Sequence, residues 1–144
     1  MKNRPLTPEE ERFVASEGVL KLATTEPNLT PHVVPLCFVY RNGAFFTHLK
    51  KGVSYKRVRN IMKTKKAAIL VDRYNQNWKL GQKRGGNVGV LIEGKPEILW
   101  EGEENAETRR LLVEKYPQYR GSEIEAGCPM LRVSVQRVVS WGFG

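Results

Sequence analysis

Cations and a hydroxyl are concentrated at one predicted helix start near the middle of the chain. Ser54 follows the strand breaker Gly52, and its hydroxyl suits an N-cap, where it accepts an N–H of the first helical turn. Lys56 and Arg57 then fall in that first turn, where the helix dipole disfavours positive charge. A bound anion would remove this conflict, because free N–H groups, a hydroxyl and two cations can together hold a phosphate. A solvated basic face fits the same residues, and both interpretations stay open.

Motifs for metal or covalent catalysis are absent from the sequence: it contains no HExxH, no CxxC pair and no GxSxG. His32 and His48 are the only histidines, and each lies in or beside a predicted strand, which favours a structural or surface role. Asp72 is the only aspartate, and no carboxylate pair is spaced for acid–base work. An enzymatic activity would therefore rest on a bound organic cofactor, and we assign no catalytic side chain.

Length, charge and cysteine spacing narrow the class of protein. A chain of 144 residues suits one domain, which we expect to span residues 1–144, and a net charge of +9 favours an anionic partner such as nucleic acid or a phosphorylated cofactor. No apolar run approaches the roughly 20 residues of a membrane span, and the N-terminus lacks the apolar core of a signal peptide. Cys37 and Cys128 have no metal or redox spacing, which favours reduced thiols in the cytoplasm, although a disulfide between them is also compatible.

The elements that would position the basic helix are short strands and two further helices. Thr7, Pro8 and Glu10 form a capping box that begins a first helix, which Gly18 ends, and Asn105 is expected to cap a helix over residues 106–116. Strands are predicted over residues 19–25, 30–40, 45–47, 67–71, 88–93, 97–100 and 130–141. Six or seven strands joined in hairpins, with three short helices, predict a mainly β fold, a small antiparallel barrel with the helices outside.

Several local signals qualify these strands. The apolar run over residues 30–40 predicts burial on both faces, yet Pro35 inside it indicates an edge, a bulge or an opening. The segment 94–96 is interpreted as a hairpin turn, and Val138 breaks the alternation of the last strand, which predicts a bulge. The glycine-rich segment 81–86 lacks the order of a P-loop, and is either a mobile loop or a loop ordered by a second subunit.

Four segments in order resemble the flavin-binding split-barrel superfamily, and within it the pyridoxamine 5'-phosphate oxidase-like branch that includes deazaflavin (coenzyme F420)-dependent enzymes. The segments are PHVVPLCFVY, FFTHLKKGVSYKRVRN, KKAAILVDRY with the following Trp78, and KYPQY. The resemblance covers residues 13–141 and implies a single FMN-binding-type split barrel. It also implies a homodimer with two cofactors at the subunit interface, in which the protein transfers hydride through FMN or F420.

The resemblance further implies roles for particular residues. The cofactor phosphate would be held by Thr47, Ser54, Lys56 and Arg57. The cofactor ring would lie against the backbone of Val33, Val34, Pro35 and Leu36. Residues 72–78, with Trp78, would approach from the partner subunit.

One departure argues against oxidation of pyridoxamine phosphate itself. The oxidase that makes pyridoxal phosphate has a longer C-terminal segment with Arg and His residues, and this chain stops at Gly144 without an equivalent. The substrate, the choice between FMN and F420 and the direction of electron transfer stay open. The alternative interpretation is a flavin carrier without turnover, or a weak nucleic-acid-binding module; no helix-turn-helix pattern or aromatic stacking platform supports the latter.

Overall fold

A seven-stranded antiparallel sheet forms the body of the protein in a computed structural model, which describes residues 1–76, 86–121, 124 and 127–143. The strands are β1 (Leu20–Thr25), β2 (Pro31–Leu36), β3 (Val39–Arg41), β4 (Ala44–His48), β5 (Ala67–Arg73), β6 (Val88–Leu99) and β7 (Met130–Trp141). The helices are α1 (Pro8–Ser16), α2 (Lys56–Thr64) and α3 (Glu103–Lys115), and a 3₁₀ turn (Pro117–Tyr119) follows α3. The strand order is β2-β1-β5-β6-β7-β4-β3, and the sheet curls into a half-barrel. The predicted mainly β, antiparallel split barrel is confirmed.

The sheet curls because its two edge strands are neighbours in sequence. β2 and β3 lie at opposite edges of the sheet, yet only Cys37 and Phe38 separate them along the chain. The three residue steps from Leu36 to Val39 span at most about 11 Å. The two edges must therefore approach each other, and the predicted single strand over residues 30–40 is wrong because the chain crosses here from one edge to the other.

Pro35 lies in the edge strand β2, which confirms one of the three alternatives for it. β2 pairs only with β1, so a proline that cannot donate to the ladder is tolerated there. Side chains along β2 alternate between exposed and half-buried, contrary to the expected burial on both faces, because an edge strand is covered on one face only.

The main core lies inside the half-barrel, and a second cluster lies beneath α3. The inner cluster includes large buried side chains from five strands and from the β2–β3 connection: Leu20, Leu22, Phe38, Phe45, Ile69, Ile92 and Leu131. The cluster beneath α3 comprises Val39, Ala44, Phe46, Leu112, Tyr116, Ile124 and Met130. Successive residues of β4 contribute to different clusters, since side chains alternate across a strand.

β6 runs without interruption alongside β7, so the predicted hairpin turn over residues 94–96 is wrong. Glycine is needed at position 94 because β7 lies close to the backbone there, and not because the chain turns. A Cβ on this residue would lie 2.5 Å from the Val133 side chain and 2.6 Å from the Ser134 carbonyl oxygen. The bulge predicted from Val138 is confirmed: Glu93 pairs with Arg137 but Gly94 pairs with Val135, which leaves Gln136 as the extra residue of β7.

The two flanking helices test the predicted caps. At α1 the capping box is present, since Thr7 accepts from the Glu10 N–H and the Glu10 carboxylate accepts from the Thr7 N–H. The helix ends at Ser16, two residues before Gly18. The cap predicted at Asn105 is wrong: α3 begins earlier, and the buried Asn105 amide donates instead to two carbonyl oxygens, those of Leu99 and Cys128.

Two smaller expectations concern the membrane and the cysteines. Within the part of the chain that the structure describes, no helix has the length and apolar character to cross a bilayer. Cys37 is half-buried and Cys128 is buried, and both side chains are thiols.

Candidate cofactor site

The helix α2 begins at Lys56, so Lys56 and Arg57 lie in its first turn as the sequence predicts. The N-cap residue is Tyr55, which makes no side-chain cap, and the N-cap predicted at Ser54 is wrong. The Ser54 hydroxyl accepts a hydrogen bond from Arg59 Nη1 at 2.6 Å, because a guanidinium one turn along the helix competes for it. The first helical turn therefore presents N–H groups and cations without a side-chain acceptor at its cap.

Arg57 is held in place by an aromatic ring. Its guanidinium carbon lies 3.9 Å from the centre of the Tyr55 ring, and its Nε atom is buried without a hydrogen-bond partner among the described residues. Burial lowers the pKa of Arg57, and the contact with Tyr55 acts in the opposite direction. A buried N–H of this kind carries a desolvation penalty that an anionic acceptor would relieve.

Thr47 supplies a second buried polar group that has no hydrogen-bond partner among the described residues. It lies in β4, is only 3% exposed, and its hydroxyl has no hydrogen-bond partner within the described part of the chain. Just beyond β4, the Lys50 N–H donates to the Tyr55 hydroxyl over 3.2 Å, which ties the end of the strand to the start of α2. Thr47 and Arg57 thus belong to one strand–turn–helix segment, and each has a buried polar atom without a partner in the described ranges.

Lys56 has a different environment from Arg57. Its ammonium lies 2.7 Å from a carboxylate oxygen of Glu26, in the turn between β1 and β2, and this contact lowers the pKa of Glu26. Asn60, one turn further along α2, donates to the Thr24 hydroxyl of β1 over 3.1 Å. These two contacts place the basic helix beside the β1–β2 hairpin, although its residues are distant in sequence.

The four residues expected beside the cofactor ring form most of β2 on that hairpin. Val34 and Leu36 pack against the core, whereas Pro35 is exposed and the Val33 side chain is 60% exposed. One backbone edge of β2 pairs with β1, and the other faces away from the sheet. The structure therefore brings Lys56 of the predicted phosphate turn to the hairpin that carries the predicted ring strand. Trp78 lies outside the described residues.

A cavity of about 480 Å³ opens beside the same hairpin. It lies between the end of α2, the β1–β2 hairpin and the bulge of the sheet, and it includes Thr24, Lys65, Glu93 and Gln136 among its lining residues. No group of three or more His, Cys, Asp or Glu side chains that could hold a metal occurs in the described ranges.

Tyr55 is a residue of the candidate site that the sequence analysis does not assign to it. Tyr55 is the N-cap residue of α2 and packs against the core; its ring lies under the Arg57 guanidinium, and its hydroxyl accepts a hydrogen bond from the Lys50 N–H. An aromatic residue two positions before an arginine at a helix start is the only local signal for this role.

Comparison with known proteins identifies related sequences and folds. The family model described as "Pyridoxamine 5'-phosphate oxidase" matches residues 6–142. A comparison with curated protein sequences returned no match.

Three solved structures illustrate the breadth of the similar folds. An FAD-binding protein from Mesorhizobium loti is 18% identical, with a TM-score of 0.70 and coverage of 97% of each chain. The heme storage protein HutZ from Vibrio cholerae is 17% identical, with a TM-score of 0.73 and coverage of 98% of each chain. An F420 reductase is 16% identical, with a TM-score of 0.66, and the match covers 93% of this chain and 98% of that chain. At these identities the similarity concerns the fold.

Proposed function

Because the chain belongs to the pyridoxamine 5'-phosphate oxidase family, we propose that it is a flavin- or deazaflavin-dependent oxidoreductase. The observation that carries this proposal is that Thr47 Oγ1 in β4 and Arg57 Nε in the first turn of α2 are both buried without a hydrogen-bond partner among the described residues. A hydroxyl, a guanidinium and the first N–H groups of a helix suit a phosphate group, which FMN and F420 both carry.

The residues divide into those that would hold the phosphate and those that would support the ring. Thr47 and Arg57 would contact the phosphate directly, while Lys56, shared with Glu26, would contribute mainly charge. The backbone of residues 33–36 would support one face of the ring, as the family resemblance implies. When bound, the cofactor would supply the hydride chemistry, and the protein would bind it, orient it and exclude water.

A second copy of the chain completes the proposed site. Side chains on the outer face of the sheet form a row in which Leu70 pairs with Leu91 and Leu91 pairs with Val139. This apolar row is bordered by two ion pairs, Lys21–Asp72 and Glu93–Arg137. An apolar centre with a polar rim is typical of a subunit interface. We propose that a homodimer forms through this face, at whose edge β2 lies.

Binding experiments test the cofactor assignment. The purified protein should be titrated with FMN, riboflavin, F420 and haem, and its absorption spectrum recorded directly after purification. We expect FMN or F420 to bind at micromolar or lower concentration, and FMN to bind at least about 10-fold more tightly than riboflavin, which lacks the phosphate. Equal affinities for FMN and riboflavin would show that the protein does not bind the phosphate group. Preferential binding of haem would show that the proposed cofactor is wrong.

A separate experiment distinguishes an oxidoreductase from a carrier. The loaded protein is reduced under anaerobic conditions and then mixed with menadione as a hydride acceptor. We expect reoxidation to be faster for the bound cofactor than for the free cofactor, because the protein would leave one ring face open to an acceptor. Tight binding combined with slower reoxidation would indicate storage or transport instead.

A further inference from the structure

A cavity of about 550 Å³ lies between the start of α3 and strands β3, β4 and β7, and it shares no lining residue with the proposed cofactor site. Its volume is within the range of small-molecule sites, about 300–1,000 Å³. The sheet contributes two arginines to the lining, Arg41 and Arg132, and the helix contributes three glutamates, Glu103, Glu104 and Glu107. The cavity therefore has cations on its sheet side and carboxylates on its helix side.

Three of these five charged side chains already have a counter-ion. Arg132 donates through Nη1 to the Glu104 carboxylate at 2.6 Å and through Nη2 to the Glu97 carboxylate at 2.5 Å. The Glu107 carboxylate accepts two hydrogen bonds from Arg110, at 2.5 and 3.0 Å. These pairs hold α3 against the sheet and along its own surface, and they leave Arg41 and Glu103 as the remaining charges of the cavity.

Arg41 has no acceptor for its guanidinium. The guanidinium carbon lies 5.3 Å from the centre of the Phe46 ring, and the Nε atom is buried without a hydrogen-bond partner among the described residues. No ion pair within the described part of the chain includes Arg41, although three glutamates line the same cavity. The Phe46 ring stabilises the positive charge but accepts no N–H in the way that a carboxylate does. The guanidinium therefore requires an acceptor that the described chain does not supply.

Glu103 carries the opposite charge on the helix side. It is exposed in the first turn of α3 and takes part in no ion pair among the described residues. Acidic residues are ordinary at a helix start, because the helix dipole favours them there. Glu103 alone would therefore not indicate a ligand, and it is the unsatisfied arginine across the cavity that does.

We propose that this cavity binds a small zwitterion of the α-amino acid class, with its carboxylate on Arg41 and its ammonium on Glu103. A planar guanidinium can donate two parallel hydrogen bonds to a carboxylate. A simple anion would leave Glu103 without a partner, and a simple cation would leave Arg41 without one. A molecule with both charges pairs with both sides of the cavity, and its binding is independent of the cofactor.

Calorimetric titration of the purified protein with the natural α-amino acids tests the proposal. Each amino acid that binds is compared with its N-acetyl derivative, which lacks the ammonium, and with its carboxamide, which lacks the carboxylate. We expect at least one amino acid to bind with a Kd below about 1 mM, and each of its two derivatives to bind at least about 10-fold more weakly. Saturating FMN should leave these affinities unchanged. The proposal is wrong if no amino acid binds below about 10 mM, or if a derivative binds as tightly as its parent.

Variants locate the two charges of the ligand. Arg41→Met retains an apolar chain beside Phe46; it should weaken binding of the amino acid at least about 10-fold and leave that of the carboxamide unchanged. Glu103→Gln should weaken binding of the amino acid and leave that of the N-acetyl derivative unchanged. Lys63→Met removes an exposed cation outside the cavity and should have no effect. Unchanged binding in Arg41→Met, or an equal loss in Lys63→Met, would overturn the proposal. If Arg41→Met folds poorly, the comparison of parent and derivatives on the wild type decides.

Discussion

At the level of single residues, Arg57 and Lys56 carry the same charge in different surroundings. Arg57 is half-buried, and its Nε has no hydrogen-bond partner in the part of the chain that the structure describes, whereas Lys56 is exposed and paired with Glu26. Arg57→Met should therefore weaken FMN or F420 binding by about 10- to 100-fold, because charge-assisted hydrogen bonds to phosphate are lost. Lys56→Ala should weaken it less, by about 10-fold or below. Fluorescence titration of both cofactors measures these effects.

Lys63 provides the matched control for charge. It lies exposed in the last turn of the same helix, so Lys63→Met removes one cation far from the first turn. We expect this variant to bind the cofactor as the wild type does. A loss equal to that of Arg57→Met would mean that the net charge, and not the contact, attracts the cofactor.

Glu10 makes the stability of the fold depend on pH. Its carboxylate is buried, accepts two hydrogen bonds from Arg4 at 2.7 and 3.0 Å, and also contacts Ser140 of β7. The Arg4 hydrogen bonds are the main reason that its pKa falls from 4.5 to about 2. This lowering corresponds to roughly 3 kcal/mol of unfolding free energy, fully present above about pH 4.5 and lost as the pH falls toward 2.

Glu10→Gln should therefore destabilise the protein by about 2–3 kcal/mol at pH 7, and by much less at pH 2.5. Urea unfolding at both pH values measures the difference. Glu9→Gln, at an exposed position of the same helix, should change stability by less than about 0.5 kcal/mol at either pH. A Glu10→Gln effect that is equal at pH 7 and pH 2.5 would rule out the ionised carboxylate as its source.

At the level of elements, Gly94 determines whether β6 can pass the bulge of β7. A Cβ at this position would meet the Ser134 backbone oxygen, which cannot move aside as a flexible side chain can. Gly94→Ala should therefore cost about 1–3 kcal/mol of unfolding free energy by thermal or urea denaturation. Gly18→Ala, where nothing lies within 4 Å, should be close to neutral. A neutral Gly94→Ala would indicate that the strands separate easily at this point.

The same element shows what the sequence can and cannot predict. The bulge is visible because alternation in β7 is a property of consecutive residues, and Val138 breaks it. The continuity of β6 is not visible, because Gly94 and Pro96 look like turn residues until the opposite strand is known. Proline is tolerated at Pro96, and glycine is required at Gly94, through contacts with a strand about 40 positions away in the chain.

In the candidate site, too, the features set by neighbouring residues are predictable from the sequence, and those set by distant contacts are not. The first-turn position of Lys56 and Arg57 follows from neighbouring residues and is predicted correctly. The Ser54 hydroxyl accepts from Arg59 instead of capping α2, and this depends on the side-chain rotamer of Arg59. The pairing of Lys56 with Glu26 depends on how α2 packs against the β1–β2 hairpin. Sequence reasoning therefore locates the basic turn but cannot rank its cations.

At the level of the whole molecule, the outer face of the sheet bears on whether the protein is a monomer or a dimer. Val139 and Trp141 are still 37% and 38% exposed, although the Trp141 ring lies across Gly89 at the position where a Cβ would stand. Leu91 is at the centre of this face, between Leu70 and Val139. Apolar side chains that are partly exposed together on one face are costly in water, and a second copy of the same face would cover them.

Leu91→Glu places a charge at the centre of that face. We expect this variant to be a monomer at micromolar concentration. The fold should be retained, because the side chain at position 91 points away from the core. Leu29→Glu is the matched control, since Leu29 is 79% exposed in the β1–β2 turn and lies off the face. Both variants should be studied by sedimentation, with and without cofactor, and by titration with FMN or F420. We expect the fraction of dimer and the affinity for the cofactor to fall together in Leu91→Glu, and neither to change in Leu29→Glu. If the monomeric variant binds cofactor as tightly as the wild type, then each chain holds its cofactor independently, and the interface has no part in the site. A wild type that is itself monomeric while binding cofactor tightly would lead to the same conclusion.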